Sequence, residues 1–220
     1  EDMDQIAADH DISQINGMMI DLGWNMDQFD DGERGFSFQN DGPLDMRMDT
    51  TKGDTAAQWL SSVDEQTLAN ALYQFGEEKR SRRIAKQIVA QREQNPFETT
   101  LQLAQLVEQI SPRRTAGKHP ATRTFQAIRI VINRELEDLQ AGLEAGYAGL
   151  GPKGRLIALT FHSLEDRIVK QFMHGKAVGF VPSRRLPLRA VETAPSAKVL
   201  VKGVGPSEQE ITENPRARSV

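Results

Sequence analysis

Between Ser62 and Ile110 the chain carries three amphipathic segments in succession, and no strand-like run separates them. Ser62-Val63-Asp64-Glu65 reads as a capping box, with Leu68, Leu72 and Phe75 following at helical spacing until Gly76. A second helix is expected from Glu77 to Arg92, with Ile84, Ile88 and Val89 on one face and Arg80, Arg83 and Lys86 on the other. Pro96 ends it. Thr99 with Gln102 then caps a third helix through Leu101, Leu103, Leu106 and Ile110. Such a succession commits these residues to an all-helical layer. Any sheet must come from the flanks.

The flanks supply it. Met18 to Gly23 reads as a short buried strand ending in an acid and a turn, with Met3–Ala8 as the tail of a helix before it. Residues 111–120 form a Pro/Gly loop, and Pro120 suits the first turn of a helix running to about Leu139. That helix buries Phe125, Ile128, Ile132, Leu136 and Leu139, and a second amphipathic turn continues to Leu150. Gly151-Pro152-Lys153-Gly154 is a turn signal. Arg155–Phe161 reads as a strand, and Ser163, with Asp166 three residues on, caps the next helix. A further strand is expected at Lys198–Lys202, after a Pro- and Arg-rich loop. Strands separated by helices imply an α/β fold, with the helices between residues 58 and 111 inserted in it.

Composition narrows the class. The 220 residues are 38% hydrophobic and 26% charged, a globular balance. No apolar run approaches the roughly 20 residues that span a bilayer. The absence of cysteine excludes disulfides, thiolate metal sites and cysteine nucleophiles. The four histidines are scattered without ligand spacing, so no metal is expected. The chain opens acidic, unlike a secretory leader, and a cytoplasmic location is expected. Residues 1–78 hold 18 Asp/Glu against 3 Lys/Arg, whereas residues 79–220 hold 24 Lys/Arg against 13 Asp/Glu. A basic half suits a polyanionic partner, although solvated helix faces give the same composition.

Phe29–Asp49 has neither helical nor strand period, and charged, turn-forming and large apolar residues alternate along it. A mixed loop of this length is expected to build a site rather than packing.

Several long motifs stand in one order: ERGFSF at 33–38, DGPLDMRMD at 41–49, FGEE at 75–78, KHPATRTFQAIRI at 118–130, FHSLEDRIVKQF at 161–172 and ENPRARS at 213–219. Together they resemble the bacterial ribosomal RNA small-subunit methyltransferase H family along nearly the whole chain. The resemblance implies a Rossmann-like methyltransferase fold with an inserted all-helical domain. Residues 1–37 and 118–220 would form the methyltransferase part, and residues 38–117 a substrate-recognition part. It implies methylation of the N4 amine of a cytidine in the decoding region of 16S rRNA, within the small ribosomal subunit, with S-adenosyl-L-methionine as donor. Asp21 and Gln28 occupy the family's cofactor-contacting positions.

Other residues are candidates on chemical grounds. Asp21, Asn25 and His162 would be hydrogen-bond partners near the reacting amine. His119 and Arg123, at a helix start, would meet phosphate. Arg123 would equally pair with Asp45 or Asp49. Arg216 and Arg218 alternate in an extended segment, and with Arg113, Arg114, Arg184, Arg185 and Arg189 would touch RNA.

Two departures from the family pattern matter. Where the family has Leu-Gly-Val-Ser-Ser-Pro-Gln, this chain has Leu22-Gly23-Trp24-Asn25-Met26-Asp27-Gln28, which places bulk beside the acceptor position. No Gly-rich strand–loop–helix precedes Asp21, so an N-terminally truncated fold lacking its first strands is expected, with methyl transfer by this chain alone impaired. Both departures favour a competing reading, a catalytically inactive RNA-binding or ribosome-assembly module. A DNA methyltransferase is a weaker third, because the strand end lacks that group's paired prolines.

Overall fold

The computed structural model describes residues 3–23, 26–111, 119–178, 194–215 and 217. In chain order, α1 (Met3–Asp9) precedes β1 (Ile15–Asp21), followed by α2 (Met26–Asp30) and a 3-10 turn at Gly32–Arg34. Next come α3 (Ala56–Ser62), α4 (Glu65–Gly76), α5 (Ser81–Arg92), α6 (Thr100–Ile110), α7 (Thr122–Ile132) and α8 (Glu135–Gly149). Then follow β2 (Leu150–Leu159), α9 (Ser163–Val178) and α10 (Glu208–Glu213). The architecture is mixed α/β, a small parallel sheet with many helices. Two compact units divide it: residues 1–23 with 136–220, and residues 24–135.

In the first unit β1 and β2 pair in parallel, Met18 opposite Leu156 and Asp21 opposite Leu159. Side chains alternate across a strand. Ile20 and Leu22 from one side and Leu156 and Ala158 from the other pack on Leu139, Leu143 and Val169 of α8 and α9. Gly146 of α8 lets Met18 lie against the helix backbone, because a Cβ there would collide with the Met18 sulfur. On the opposite face Met19 and Ile157, register partners, stay 67% and 55% exposed. The expected turn at Gly151–Gly154 lies inside β2 as a bulge, where the register shifts between Ile15 and Gly17 and Lys153 adopts φ 68°. The strand expected at Lys198–Lys202 is absent: residues 194–207 are irregular, and Leu200 and Val201 are exposed. Its Val-Leu-Val run suits a strand, but no neighbour among the described residues takes up its backbone hydrogen bonds.

The second unit is helical, with no strand between Ala56 and Ile110. An unexpected helix, α3, precedes the three expected ones. Thr55 and Gln58 form its capping box, and Ala56 and Leu60 are its buried contacts. Ser62 therefore ends a helix rather than starting one. Asp64 caps α4 by accepting the Thr67 N–H at 2.9 Å. α5 starts at Ser81, not Glu77, because Glu77 sits at φ 50° and closes α4, while the Glu78 carboxylate takes the Arg80 N–H. α6 begins at the expected Thr99–Gln102 box.

The single helix expected from Pro120 to Leu139 is two. Asn133 caps α7 and accepts the Met48 N–H at 2.6 Å, its amide donates to the carbonyls of Met46 and Arg129, and Arg134 turns at φ 50°. The Phe29–Asp49 loop also departs from expectation. It supplies core: Phe36, Leu44 and Met46 are buried with Leu68, Leu72, Leu103 and Ile128. Its polar residues serve its own shape. Asp45 pairs with Arg47 at 2.7 Å, where burial would raise the Asp45 carboxyl but the Arg47 guanidinium holds it below its ordinary range.

Candidate functional site at the strand ends

Parallel strands bring like ends together. Asp21 therefore closes β1 at the same edge where β2 gives way to Phe161 and His162. Asp21 is exposed there. The turn after it depends on Gly23, whose φ of 93° is disfavoured for other residues; a Cβ there would rest 3.7 Å from the Phe161 ring. The carboxyl edge of a parallel pair is where α/β folds present ligand-binding loops. An exposed carboxylate beside a glycine turn can accept hydrogen bonds from hydroxyl or amine groups.

The β2–α9 turn is built by a pair the sequence reading recognised only in part. Ser163 does not cap α9; it is the first helical residue. The cap is His162, whose Nδ1 accepts the Glu165 N–H at 3.4 Å. Glu165 reaches back and accepts the N–H groups of Phe161 and His162, at 2.8 and 3.3 Å. This is the reciprocal geometry of a capping box, with His in place of Ser or Thr. Glu165 is only 3% exposed. Burial would raise its pKa, but the His162 ring and the Phe161 and His162 N–H groups outweigh burial and lower it.

The His162 Nε2 lies 3.2 Å from the Glu165 carboxylate, within ion-pair range, yet its direction makes no hydrogen bond and it is buried. His162 thus serves the turn first: Nδ1 holds the helix cap and Nε2 is buried. The signal for this pair was available in the sequence: a His followed three residues later by Glu at a strand-to-helix junction.

The remaining candidates belong to other elements. Gln28 is half-buried on α2 in the helical unit. In the same unit His119 stacks on Phe38, with ring centroids 4.6 Å apart, and its Nδ1 accepts the Ala121 N–H at 3.2 Å just before α7. Arg123 is exposed and donates to the Glu77 carbonyl at 3.3 Å. It does not pair with Asp45, which holds Arg47, or with Asp49, which holds Lys52. Trp24, Asn25, Arg113, Arg114, Arg184, Arg185, Arg189, Arg216 and Arg218 lie outside the described residues. Among those described, no helix is long and apolar enough to cross a membrane.

Comparison with known proteins agrees with the ordered motifs. The model of the MraW methylase family matches residues 1–220. Ribosomal RNA small subunit methyltransferase H of Janthinobacterium sp. (strain Marseille) is 52% identical over 217 residues, covering 99% of this chain and 67% of that protein. The protein of the same name from Herminiimonas arsenicoxydans is 52% identical over 212 residues, 96% of this chain and 66% of its own length. That from Stenotrophomonas maltophilia (strain K279a) is 51% identical over 205 residues, 93% and 63% respectively. The chain thus spans about two thirds of the length of the curated relatives it matches. A match along the whole chain at half identity leaves one assignment: the chain belongs to the MraW methylase family.

Proposed function

We propose that the protein transfers a methyl group from S-adenosyl-L-methionine to the N4 amine of a cytidine in the decoding region of 16S rRNA, in the small ribosomal subunit. The observation that carries this reading is the match along nearly the whole of this chain to relatives named as small subunit rRNA methyltransferases. Acting there, the protein works in the cytoplasm. A Rossmann-like part, read as residues 1–37 and 118–220, holds the donor. An inserted helical part, residues 38–117, meets the substrate.

The exposed Asp21 carboxylate beside the φ-positive Gly23 fits one portion of a donor site, an acceptor for hydroxyl or amine hydrogens. Asp21 and Gln28 would hold the donor, which when bound supplies an electrophilic methyl group. Cytosine N4 is a weak nucleophile because its lone pair is delocalised into the ring. Holding that amine in line is therefore the main task of the residues around it, and such positioning is worth several orders of magnitude in rate. Asn25 would accept a hydrogen bond from the amine and orient it. His162, fixed by Glu165, shapes the strand end beside it. His119, Arg123, Arg216 and Arg218 would contact the RNA.

Methyl transfer to small subunits lacking the modification, followed by nucleoside analysis for N4-methylcytidine, tests this reading. The full-length protein is expected to produce it. Methylation of a different nucleoside overturns the site assignment. RNA binding without any transfer favours the inactive RNA-binding or ribosome-assembly module.

A further inference from the structure

From Lys79 to Arg92 the chain holds six cations and no acid: Lys79, Arg80, Arg82, Arg83, Lys86 and Arg92. The fold uses two of them. Arg80 donates to the Ile110 carbonyl at the end of α6. Arg92 donates to the carbonyls of Leu60 and Val63 at the end of α3, at 2.7 and 2.5 Å. Both satisfy helix C-terminal carbonyls that lack intrahelical partners, where a cation is also favoured.

The other four have no such employment. Lys79, Arg82, Arg83 and Lys86 are exposed, and no acid among the described residues pairs with them. Arg82, Arg83 and Lys86 fall within about 100° of arc on α5, at 3.6 residues per turn. Ile84, Ala85 and Ile88 point the opposite way, into the core. Lys79 leads into the same face from the preceding turn. Arg123 adds a further cation, tied to the carbonyl of Glu77 two residues before Lys79. Of the nearest acids, Glu77 is exposed and Glu78 is buried with its carboxylate on the Arg80 N–H.

A surface helix that only needs solubility gains from opposite charges at i,i+4. This one has like charges there, Arg82 with Lys86, a mildly destabilising pair, and Lys79 adds another cation in the turn just before it. Four cations without an acidic partner on one face, in a chain whose net charge is −4, make a local positive patch of the kind that attracts a polyanion. Regularly spaced phosphates are that partner's chemistry.

We propose that the α5 face formed by Arg82, Arg83 and Lys86, with Lys79 in the turn before it, seats on the phosphate backbone of the rRNA substrate. The assignment rests on the rRNA reading above and adds to it the surface that grips. The test is a triple variant of the full-length protein, Arg82→Gln, Arg83→Gln and Lys86→Gln, titrated with protein-free 16S rRNA across a salt series. Each lost contact to single-stranded phosphate removes about 0.7 from the slope of log affinity against log salt. The variant is expected to lose about 2 of that slope and on the order of tenfold in affinity at moderate salt. Thermal melting should not fall, because these side chains hold nothing in the fold.

Replacing Lys52 and Lys170 serves as the control, since they already pair with Asp49 and Asp166. An unchanged slope in the triple variant overturns the proposal. So does a loss seen only on intact subunits and not on protein-free rRNA, which would assign the face to an acidic ribosomal protein. If the slope is unchanged while the parent protein still methylates subunits, the α5 assignment falls and the rRNA reading stands. If the parent neither binds rRNA nor methylates subunits, both fall.

Discussion

Gly76, the last residue of α4, lies so close to Arg123 of α7 that a Cβ at Gly76 would collide with the Arg123 carbonyl oxygen and sit 3.2 Å from the Ala127 Cβ. The approach of these two backbones fixes where α4 ends against α7. It also brings the Phe75 carbonyl to Gln126 and the Glu77 carbonyl to Arg123.

Two effects of opposite sign meet in Gly76→Ala. Helix propensity alone favours alanine over glycine by about 1 kcal/mol. Overpacking a closed contact costs about 1–3 kcal/mol. The atom struck is backbone, which cannot rotate aside, so packing should win. A net loss of up to about 2 kcal/mol is expected in urea unfolding. A variant more stable than the parent would show that α4 and α7 do not approach this closely.

Arg34 is expected to be a structural keystone of the loop that follows it. Its Nη2 donates to the carbonyls of Arg47 and Met48 at 2.9 and 2.8 Å, and its guanidinium lies 5.8 Å from the Phe36 ring centre. Arg34→Met leaves two part-buried carbonyls without a donor and should cost about 2–4 kcal/mol. Arg34→Lys should recover only part of this, since an ammonium lacks the planar fork. Equal stability of the Lys variant and the parent would reduce the role of Arg34 to charge alone.

The Glu165 cap predicts an acid limb in stability. Its folded-state pKa is lowered from the ordinary 4.5. The unfolded chain therefore takes up this proton first as pH falls. The contribution is fully present above pH 4.5 and is lost as pH drops through the lowered folded value. Glu165→Gln should destabilise the protein at neutral pH by roughly 1–3 kcal/mol. It should also flatten the fall in denaturant midpoint on acidification. If the parent and the Gln variant lose stability in parallel below pH 4.5, other carboxylates carry the acid limb.

How much of this was readable in advance depended on whether the signal was local. The Thr99–Gln102 box and the heptad-like apolar spacing of α6 are complete within a dozen residues, and the helix starts where they say. The carboxyl edge was legible too: the strands expected at Met18–Gly23 and Arg155–Phe161 overlap β1 and β2, although these end earlier, at Asp21 and Leu159, and β1 is half-buried to exposed rather than buried. The Leu44 and Met46 burial was not legible. Those side chains are placed by Arg34, Thr99 and Asn133, up to 87 residues away in sequence, and no local period records such contacts. The break at Asn133 was hidden for the same reason: besides the Arg129 carbonyl of its own helix, its side chain binds Met46 and Met48, more than 80 residues away. Packing or capping is the ordinary role of a lone His, but Ser163 is the stronger capping residue by type, so the sequence points to it while the structure uses His162.

Asp21 separates the ligand-binding reading from a structural one more cleanly than any other candidate. Its backbone pairs with Leu159 in the ladder, but its carboxylate is exposed and takes part in no hydrogen bond or ion pair among the described residues. Asp21→Ala should therefore leave thermal stability within about 0.5 kcal/mol, as for surface substitutions generally. If the carboxylate accepts hydrogen bonds from S-adenosyl-L-methionine, its removal from the full-length protein should cost about 1.5–3 kcal/mol of binding. Calorimetry would read that as a Kd roughly 10- to 150-fold weaker. Asp21→Asn keeps one acceptor oxygen and should fall between the two. A Kd unchanged by Asp21→Ala would mean that the strand end does not touch the donor. A large loss of stability would mean that the carboxylate belongs to the fold.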